Sequence, residues 1–359
     1  MKKLFSFIIL ILFLLVNMFS LNFNKLNKEI SDLLIELNIP GISIYINMPE
    51  NENDIEINYG FSDFENNIWM KKGTKFRIGS LTKSFTATAI LILNDRNLLD
   101  LKDPVKKYLD IENDFIKNLK IKDLMNMSSG LRDYINDDPE EYGFILKHLI
   151  NSPKNYLTQE ELLEKAFQIT EELGLIEGFH YNNTNYILLG MIIEKVSGQK
   201  YERFIKEEIL IPLQLNDTFV PENYFLYDNM AKGYHDLIND EKYIENSEID
   251  PSYVWSAGSI VSNAKDLSKW IKELSKGTLI SEKSKKYLFE GQHIFEDVYY
   301  TSGVIYEDNK LWHNGSVIGY NSIASYFFDT DTSISILING YSQVNLIEII
   351  FSLLLEDYL

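Results

Sequence analysis

The sequence predicts an α+β fold: one antiparallel sheet of about five strands built from both ends of the chain, flanked by N- and C-terminal helices, with a mostly helical domain inserted between. Three observations carry that expectation. Early in the chain Ile42, Ile44 and Ile46, then Ile55, Ile57 and Tyr59, alternate with smaller or polar residues, the period of two that a half-buried strand requires. Strand character returns only late, in VYYTSGVIYE, YNSIASYFF and TSISILI, where β-branched and aromatic residues dominate. Between about Ile111 and Asp250, the segments IKDLMNM, ELLEKAFQI, YILLGMIIEKVSG and YERFIKEEIL keep the 3.6-residue spacing of helices.

Taken in order, residues 1–20 stand apart. Lys2 and Lys3 precede an apolar run from Leu4 to Val16, a positive segment followed by a hydrophobic one, so export is expected. Without an Ala-x-Ala site, the segment reads either as a signal peptide or as a retained signal anchor, placing the protein in the periplasm, outside the cell, or on a membrane facing outward. From Asn24 to Leu37, Leu26, Ile30, Leu33, Leu34 and Leu37 keep helical spacing until Pro40-Gly41 stops them. Residues 24–110 and 250–359 are assigned to the sheet domain and 111–249 to the helical insert. A last apolar stretch, VNLIEIIFSLLLEDYL, is expected to lie as a helix against the sheet.

Composition bounds the functions available. In 359 residues, 45% hydrophobic and 13% aromatic content supports an ordered core of about two domains. A net charge of -19 argues against nucleic acid or an anionic membrane surface as partner, because both demand a basic face; membrane contact is expected only through the N-terminal segment. The absence of cysteine excludes disulfides and thiolate metal sites. No glycine-rich phosphate loop, His-Glu-x-x-His or Gly-x-Ser-x-Gly is present, and neither metal nor cofactor is expected.

Chemistry is concentrated first in FRIGSLTKSFTATAILILN, residues 76–94. Gly79 precedes Ser80, and a run without Pro or Gly follows, which places Ser80 at the first turn of a buried helix with Lys83 one turn on, on the same face. A desolvated lysine of lowered pKa can take the proton of a serine hydroxyl without histidine. Ser-x-x-Lys also occurs at Ser197/Lys200 and Ser262/Lys265, where a polar turn and a helix start explain it. Two further segments hold polar residues that the local pattern does not need. Tyr181-Asn182-Asn183 precedes an apolar helical run, and Asn183 or Thr184 reads equally as a helix cap. His313-Asn314-Gly315-Ser316 contains the single His-x-Gly, whose glycine lets a substrate backbone approach a strand edge.

In this order the three segments resemble the serine β-lactamase and penicillin-binding-protein superfamily, in the branch of class C β-lactamases, D-alanyl-D-alanine carboxypeptidases and related esterases. FRIGSLTKSFTA resembles its nucleophile motif and YNNTNYILLGMIIEKVSG its tyrosine motif, with LMNMSSGLRDY, ILIPLQLNDT, SAGSIVSNAKDLSKW and WHNGSVIGYNS resembling further segments. The resemblance covers most of the chain after residue 20 and implies a β-lactamase/transpeptidase-like fold. It implies that Ser80 is acylated, with Lys83 as proton acceptor or as the cation that tunes Tyr181, and with Tyr181 relaying protons to the leaving group. Asn183 would bind substrate, the N–H groups of Ser80 and Ser316 would form an oxyanion hole, Gly315 would line the substrate edge, and His313 would stand where relatives carry Lys or His. The implied substrates are D-alanyl peptides or β-lactams; an esterase or amidase acting on small acyl donors, and a penicillin-binding sensor without turnover, are the alternatives. His-x-Gly in place of Lys-Thr-Gly puts a weaker, pH-dependent cation, His313, at this position and makes fast β-lactam hydrolysis the lesser expectation. Lys310 is the cation nearest in sequence to serve a substrate carboxylate, with Arg132 a second candidate.

Overall fold

A computed structural model describes residues 28–49, 53–140, 143–235, 244–340 and 350–352. Its strands are β1 (Gly41–Asn47), β2 (Ile55–Asp63), β3 (Ile68–Trp69), β4 (Lys75–Arg77), β5 (Tyr234–His235), β6 (Ile244–Glu245), β7 (Val261–Asn263), β8 (Gln292–Phe295), β9 (Val298–Tyr300), β10 (Ile305–Glu307), β11 (Lys310–Val317), β12 (Tyr320–Phe327) and β13 (Thr332–Ile338). Nine of them form one sheet in the order β3-β2-β1-β13-β12-β11-β10-β9-β8, while β4 pairs with β7 and β5 with β6. All the pairings are antiparallel.

The α+β class is as expected, but the sheet has nine strands where about five were expected. The added strands are short or interrupted. VYYTSGVIYE is two strands, β9 and β10, separated by a turn; β3 and β8 have two and four residues. In β11 the polar residues of the HNGS segment break the hydrophobic alternation by which strands are recognised.

The two chain ends meet at the pairing of β1 with β13, where Ile42, Ile44 and Ile46 stand opposite Ile338, Ile336 and Ile334. These isoleucines share one face of the sheet, and helix α1 (residues 28–36) buries Ile30 and Leu34 against it. The alternate residues face the other way, as a period of two requires. There Ser333 Oγ hydrogen-bonds Ser268 and Ser335 Oγ donates to the Ala264 carbonyl. The stretch 1–20, and the proposed last helix apart from residues 350–352, lie outside the described residues.

Helix α2 (Thr82–Asp95) runs through the middle of the molecule, with every residue from Thr82 to Leu93 buried. A helix buried all round must satisfy its polar side chains internally. Thr86 Oγ1 meets the Tyr201 hydroxyl and the Ser256 carbonyl at 2.7 Å each, and Trp270 Nε1 donates to Ser84 Oγ at 2.8 Å. The short helix α3 (Ile121–Met125), then α4 (Phe144–Asn151), α5 (Gln159–Leu173), α6 (Thr184–Ser197) and α7 (Tyr201–Ile205) follow α2; α8 (Trp255–Gly258) and α9 (Ala264–Lys276) lead back to the sheet. Helices α6 and α8 pack on α2, and α9 packs on β1, β12 and β13. The N-termini of α2 and α6 thereby open onto one cleft beside β11.

Candidate active site

Ser80 lies in a 3-10 turn, Gly79–Leu81, that enters α2 two residues before the α-helix proper. It is half-buried at the cleft, whereas Lys83 is wholly enclosed. The turn sits tight against β11. Gly79 has φ +53°, and a Cβ there would fall 2.7 Å from the Ser316 nitrogen; a Cβ on Gly315 would fall 2.0 Å from the Ile78 carbonyl oxygen. Two glycines are therefore what allow the Ser80 turn and the strand to touch.

Lys83 Nζ has three partners: Ser80 Oγ at 2.9 Å, Asn183 Oδ1 at 2.8 Å and the Ala257 carbonyl at 2.9 Å. Burial lowers its pKa to about 7, against the raising influence of the Asp133 carboxylate. Two of the three partners are acceptors only, since a carbonyl cannot donate and Asn183 Nδ2 is engaged with Asp133 Oδ2 at 2.9 Å. A neutral amine must spend its two hydrogens on those two and turn its lone pair to the Ser80 hydroxyl.

The alternative reading of Asn183 as a helix cap is answered by its neighbour. Asn182 Oδ1 accepts the Asn185 N–H at 2.9 Å, so Asn182 does the capping and the Asn183 side chain is left to Lys83 and Asp133. Tyr181 borders the same cleft. Its hydroxyl is buried and faces Ser80 without a hydrogen bond of full geometry, and Lys83 Nζ lies 4.9 Å from its ring centroid. Burial pushes the phenol well above the ordinary tyrosine pKa, so it stays protonated and can donate.

His313 is placed one layer behind. It is buried, its Nδ1–H donates to the Asn314 carbonyl, and Nε2 therefore accepts from the Tyr300 hydroxyl at 3.2 Å. The His313 and Tyr300 rings back Tyr181, with centroids 6.1 and 5.7 Å from it. Burial lowers the His313 pKa from 6.5 to about 3, helped by the charge of Lys83. The imidazole is thus a neutral packing partner of Tyr181 and not the pH-dependent cation expected from the sequence. Because the unfolded chain binds this proton and the folded one does not, the stability His313 confers is complete above pH 6.5 and is lost progressively as pH falls towards 3. Imidazole resonances of His313, assigned by their loss in His313→Gln, are expected to stay unshifted from pH 8 to 5, and a His313 resonance titrating near 6.5 would contradict that placement.

The cleft itself, about 360 Å³, is lined by Ser80, Tyr181, Asn183, the backbone of Gly315 and Ser316, and an apolar wall that includes Ile135, Leu149 and Tyr253. Strand β10 covers only Lys310 to Trp312 of β11, and from Asn314 to Val317 the strand borders the cleft. Neither cation considered for a substrate carboxylate lines this space. Arg132 donates to the carbonyls of Leu173 and Gly174, and Lys310 pairs with Glu307 at 3.3 Å. Among the described lining residues there is no Lys or Arg. The other two Ser-x-x-Lys serines are structural: Ser197 Oγ bonds the Ile193 carbonyl, and Ser262 Oγ bonds Thr218 Oγ1.

Asp133 is the residue that sequence reasoning missed. It was visible only as part of the SGLRDY segment, with nothing in its spacing to connect it to Lys83; the fold does that.

A buried lysine on a serine hydroxyl, between a large antiparallel sheet and a helical lobe, defines the class of site. Residues 26–347 match the Beta-lactamase family, and the chain belongs to it. It is 27% identical over 297 residues to "Penicillin-binding protein 4*" of Bacillus subtilis, covering 76% of this chain and 62% of that protein. To "Putative penicillin-binding protein PbpX" of the same organism it is 27% identical over 323 residues, 89% and 75% of the two chains. The chain thus spans less than two-thirds of the length of the first of these relatives. Its fold is similar to that of D-amino acid amidase from Ochrobactrum anthropi (TM-score 0.78, 22% identity, covering 93% and 97% of the two chains). It is also similar to an octameric penicillin-binding protein homologue from Pyrococcus abyssi (TM-score 0.76, 28% identity, 93% and 77%).

Proposed function

We propose that this protein is an exported serine hydrolase that works through a Ser80 acyl-enzyme, with D-alanyl peptides or β-lactams as acyl donors. One observation carries the reading: a fully buried amine, with a pKa near 7, whose only partner able to donate a proton is the hydroxyl of a half-exposed serine. The order of acidities assigns the roles that the sequence left open. Lys83 is the base, because Tyr181 is displaced the other way and remains a phenol. The Ser80 O–H bond breaks as Nζ takes the proton and Oγ bonds the carbonyl carbon. The displaced electron pair settles on the carbonyl oxygen, facing the N–H groups of Ser80 and Ser316, which supply the oxyanion site. When the scissile bond breaks, the leaving group takes a proton from Tyr181, replenished from Lys83, and water then releases the acyl group by the same path in reverse.

The lining of the cleft favours a second reading of the substrate. No Lys or Arg is among the described lining residues, and beside the apolar wall the remaining polar side chains include Asn136, His235 and Asn314, a lining that suits a neutral amide or ester. Relatives named as penicillin-binding proteins support the first reading; a neighbour described as a D-amino acid amidase accords with the second.

The test is covalent labelling. Intact mass and peptide mapping after exposure to a penicillin and to a fluorophosphonate are expected to show an adduct on Ser80 that is absent in Ser80→Ala, whose turnover should fall by about 10⁶-fold. A folded protein that neither reagent labels would refute the hydrolase reading. Turnover of D-amino acid amides and small esters without turnover of D-Ala-D-Ala peptides would select the neutral-substrate reading, and the converse would select the first. A penicillin adduct that never hydrolyses would instead support a sensor.

A further inference from the structure

Asp133 follows α3 in the loop of the SGLRDY segment and is completely buried. Its Oδ1 accepts from the Ile135 N–H at 2.8 Å. Its Oδ2 accepts from Asn136 Nδ2 at 2.8 Å, the Asn183 N–H at 3.1 Å and Asn183 Nδ2 at 2.9 Å. All four partners are donors, so a carboxyl proton would meet no acceptor. Burial pushes the Asp133 pKa up, yet these bonds suit only the ionised form, and we take the group as a carboxylate. No cation pairs with it directly among the described residues. The cation that acts on it is Lys83, one amide away through Asn183; the other charged groups beside it are Asp137, whose Oδ2 accepts the Asp133 N–H at 2.8 Å, and His180, bonded to that oxygen at 2.7 Å.

We propose that Asp133 is the positioning residue of the nucleophile, a carboxylate that acts on Lys83 through the Asn183 side chain, aiming the amine at Ser80 and stabilising the ammonium formed when Ser80 is deprotonated. The proposal rests on the reading of Ser80 as nucleophile and Lys83 as base. An asparagine amide is indifferent to which end points where until its partners decide. Asp133 can only accept, so Nδ2 must face it and Oδ1 must face Lys83. That orientation leaves Ser80 as the one neighbour able to give Nζ a proton. As the Ser80 O–H bond breaks and a third N–H bond forms on Nζ, the new positive charge appears on the far side of the Asn183 amide from a fixed negative one. Asp133 itself takes no proton. The logic matches that of the carboxylate in a serine-histidine triad, which orients the base and supports its charged form.

The experiment is the pH dependence of Ser80 labelling by a small fluorophosphonate in wild type, Asp133→Asn, Asn183→Ala and the double variant, each checked for folding by circular dichroism. Asp133→Asn is expected to slow labelling by about 10²- to 10⁴-fold, the range over which a general base contributes. Its acid limb should also move to lower pH, because Lys83 loses the charge that favours its protonated form. A purely structural role would change the rate without moving the limb. The double variant should be no slower than the slower single one, since both cut the same link. A folded Asp133→Asn with an unmoved limb, or single effects that multiply, overturns the proposal. If Asp133→Asn does not fold, Asn183→Ala decides from the other end: a wild-type labelling rate there also overturns it. Absence of labelling in wild type would instead defeat the underlying reading of Ser80.

Discussion

Lys83→Met is expected to keep the fold while slowing Ser80 acylation by about 10²- to 10⁴-fold, the contribution of a positioned general base. Methionine approximates the length of the buried stem but cannot accept the proton, so the three partners of Nζ remain in place around a group without basicity. The sign of the pH dependence follows from the lowered pKa of about 7. Below that value the amine carries its proton and is no base; above it the lone pair is available. Wild-type acylation should therefore rise about tenfold per pH unit up to about pH 7 and level off above, and Lys83→Met should lack this limb. His313 cannot supply the limb, because its pKa lies near 3. A wild-type limb that survives in a folded Lys83→Met would assign the base to another group.

Gly315→Ala is the second large effect. The new methyl carbon would stand 2.0 Å from the Ile78 carbonyl oxygen and 2.6 Å from Ser322 Oγ. Those two atoms are already joined by a 2.8 Å hydrogen bond, and one of them is backbone, so the strain cannot be relieved by turning a flexible side chain. Either the Ser80 turn or β11 must retreat, separating the N–H groups of Ser80 and Ser316. Loss of one oxyanion donor typically lowers the rate by about 10²- to 10³-fold, and overpacking of this kind costs about 1–3 kcal/mol of stability. Burst kinetics of acylation and the denaturation midpoint should both fall. Unchanged kinetics would mean that this strand does not form the oxyanion site.

Why Ser80 and Lys83 were legible is a matter of helical geometry. Residues three apart share a face wherever the helix is intact, and the run after Ser80 contains no breaker. The isoleucine alternation of β1 was readable on the same ground, because one buried face imposes a period of two. The short strands were not, because two to four residues hold too little of any period, and β11 gives up its pattern at the positions that border the cleft. The role of Asn183 was undecidable locally: Asn183 and Thr184 both read as caps, whereas the Asn185 N–H is capped by Asn182, and the packing of the Asp133 loop against the start of α6 engages Asn183. His313 illustrates the converse. Its motif marked the right strand, but burial behind Tyr181, which no local pattern reveals, makes it a neutral ring.

The most direct measurement is the titration of the Lys83 amine itself, followed by NMR of protein carrying ¹³C at lysine Cε, with Lys83→Met assigning the resonance. A transition near pH 7 is predicted, shifted downward in Asp133→Asn. A Lys83 resonance that titrates at the ordinary value of 10.5 would leave the amine protonated throughout the working range and would contradict its role as the base for Ser80.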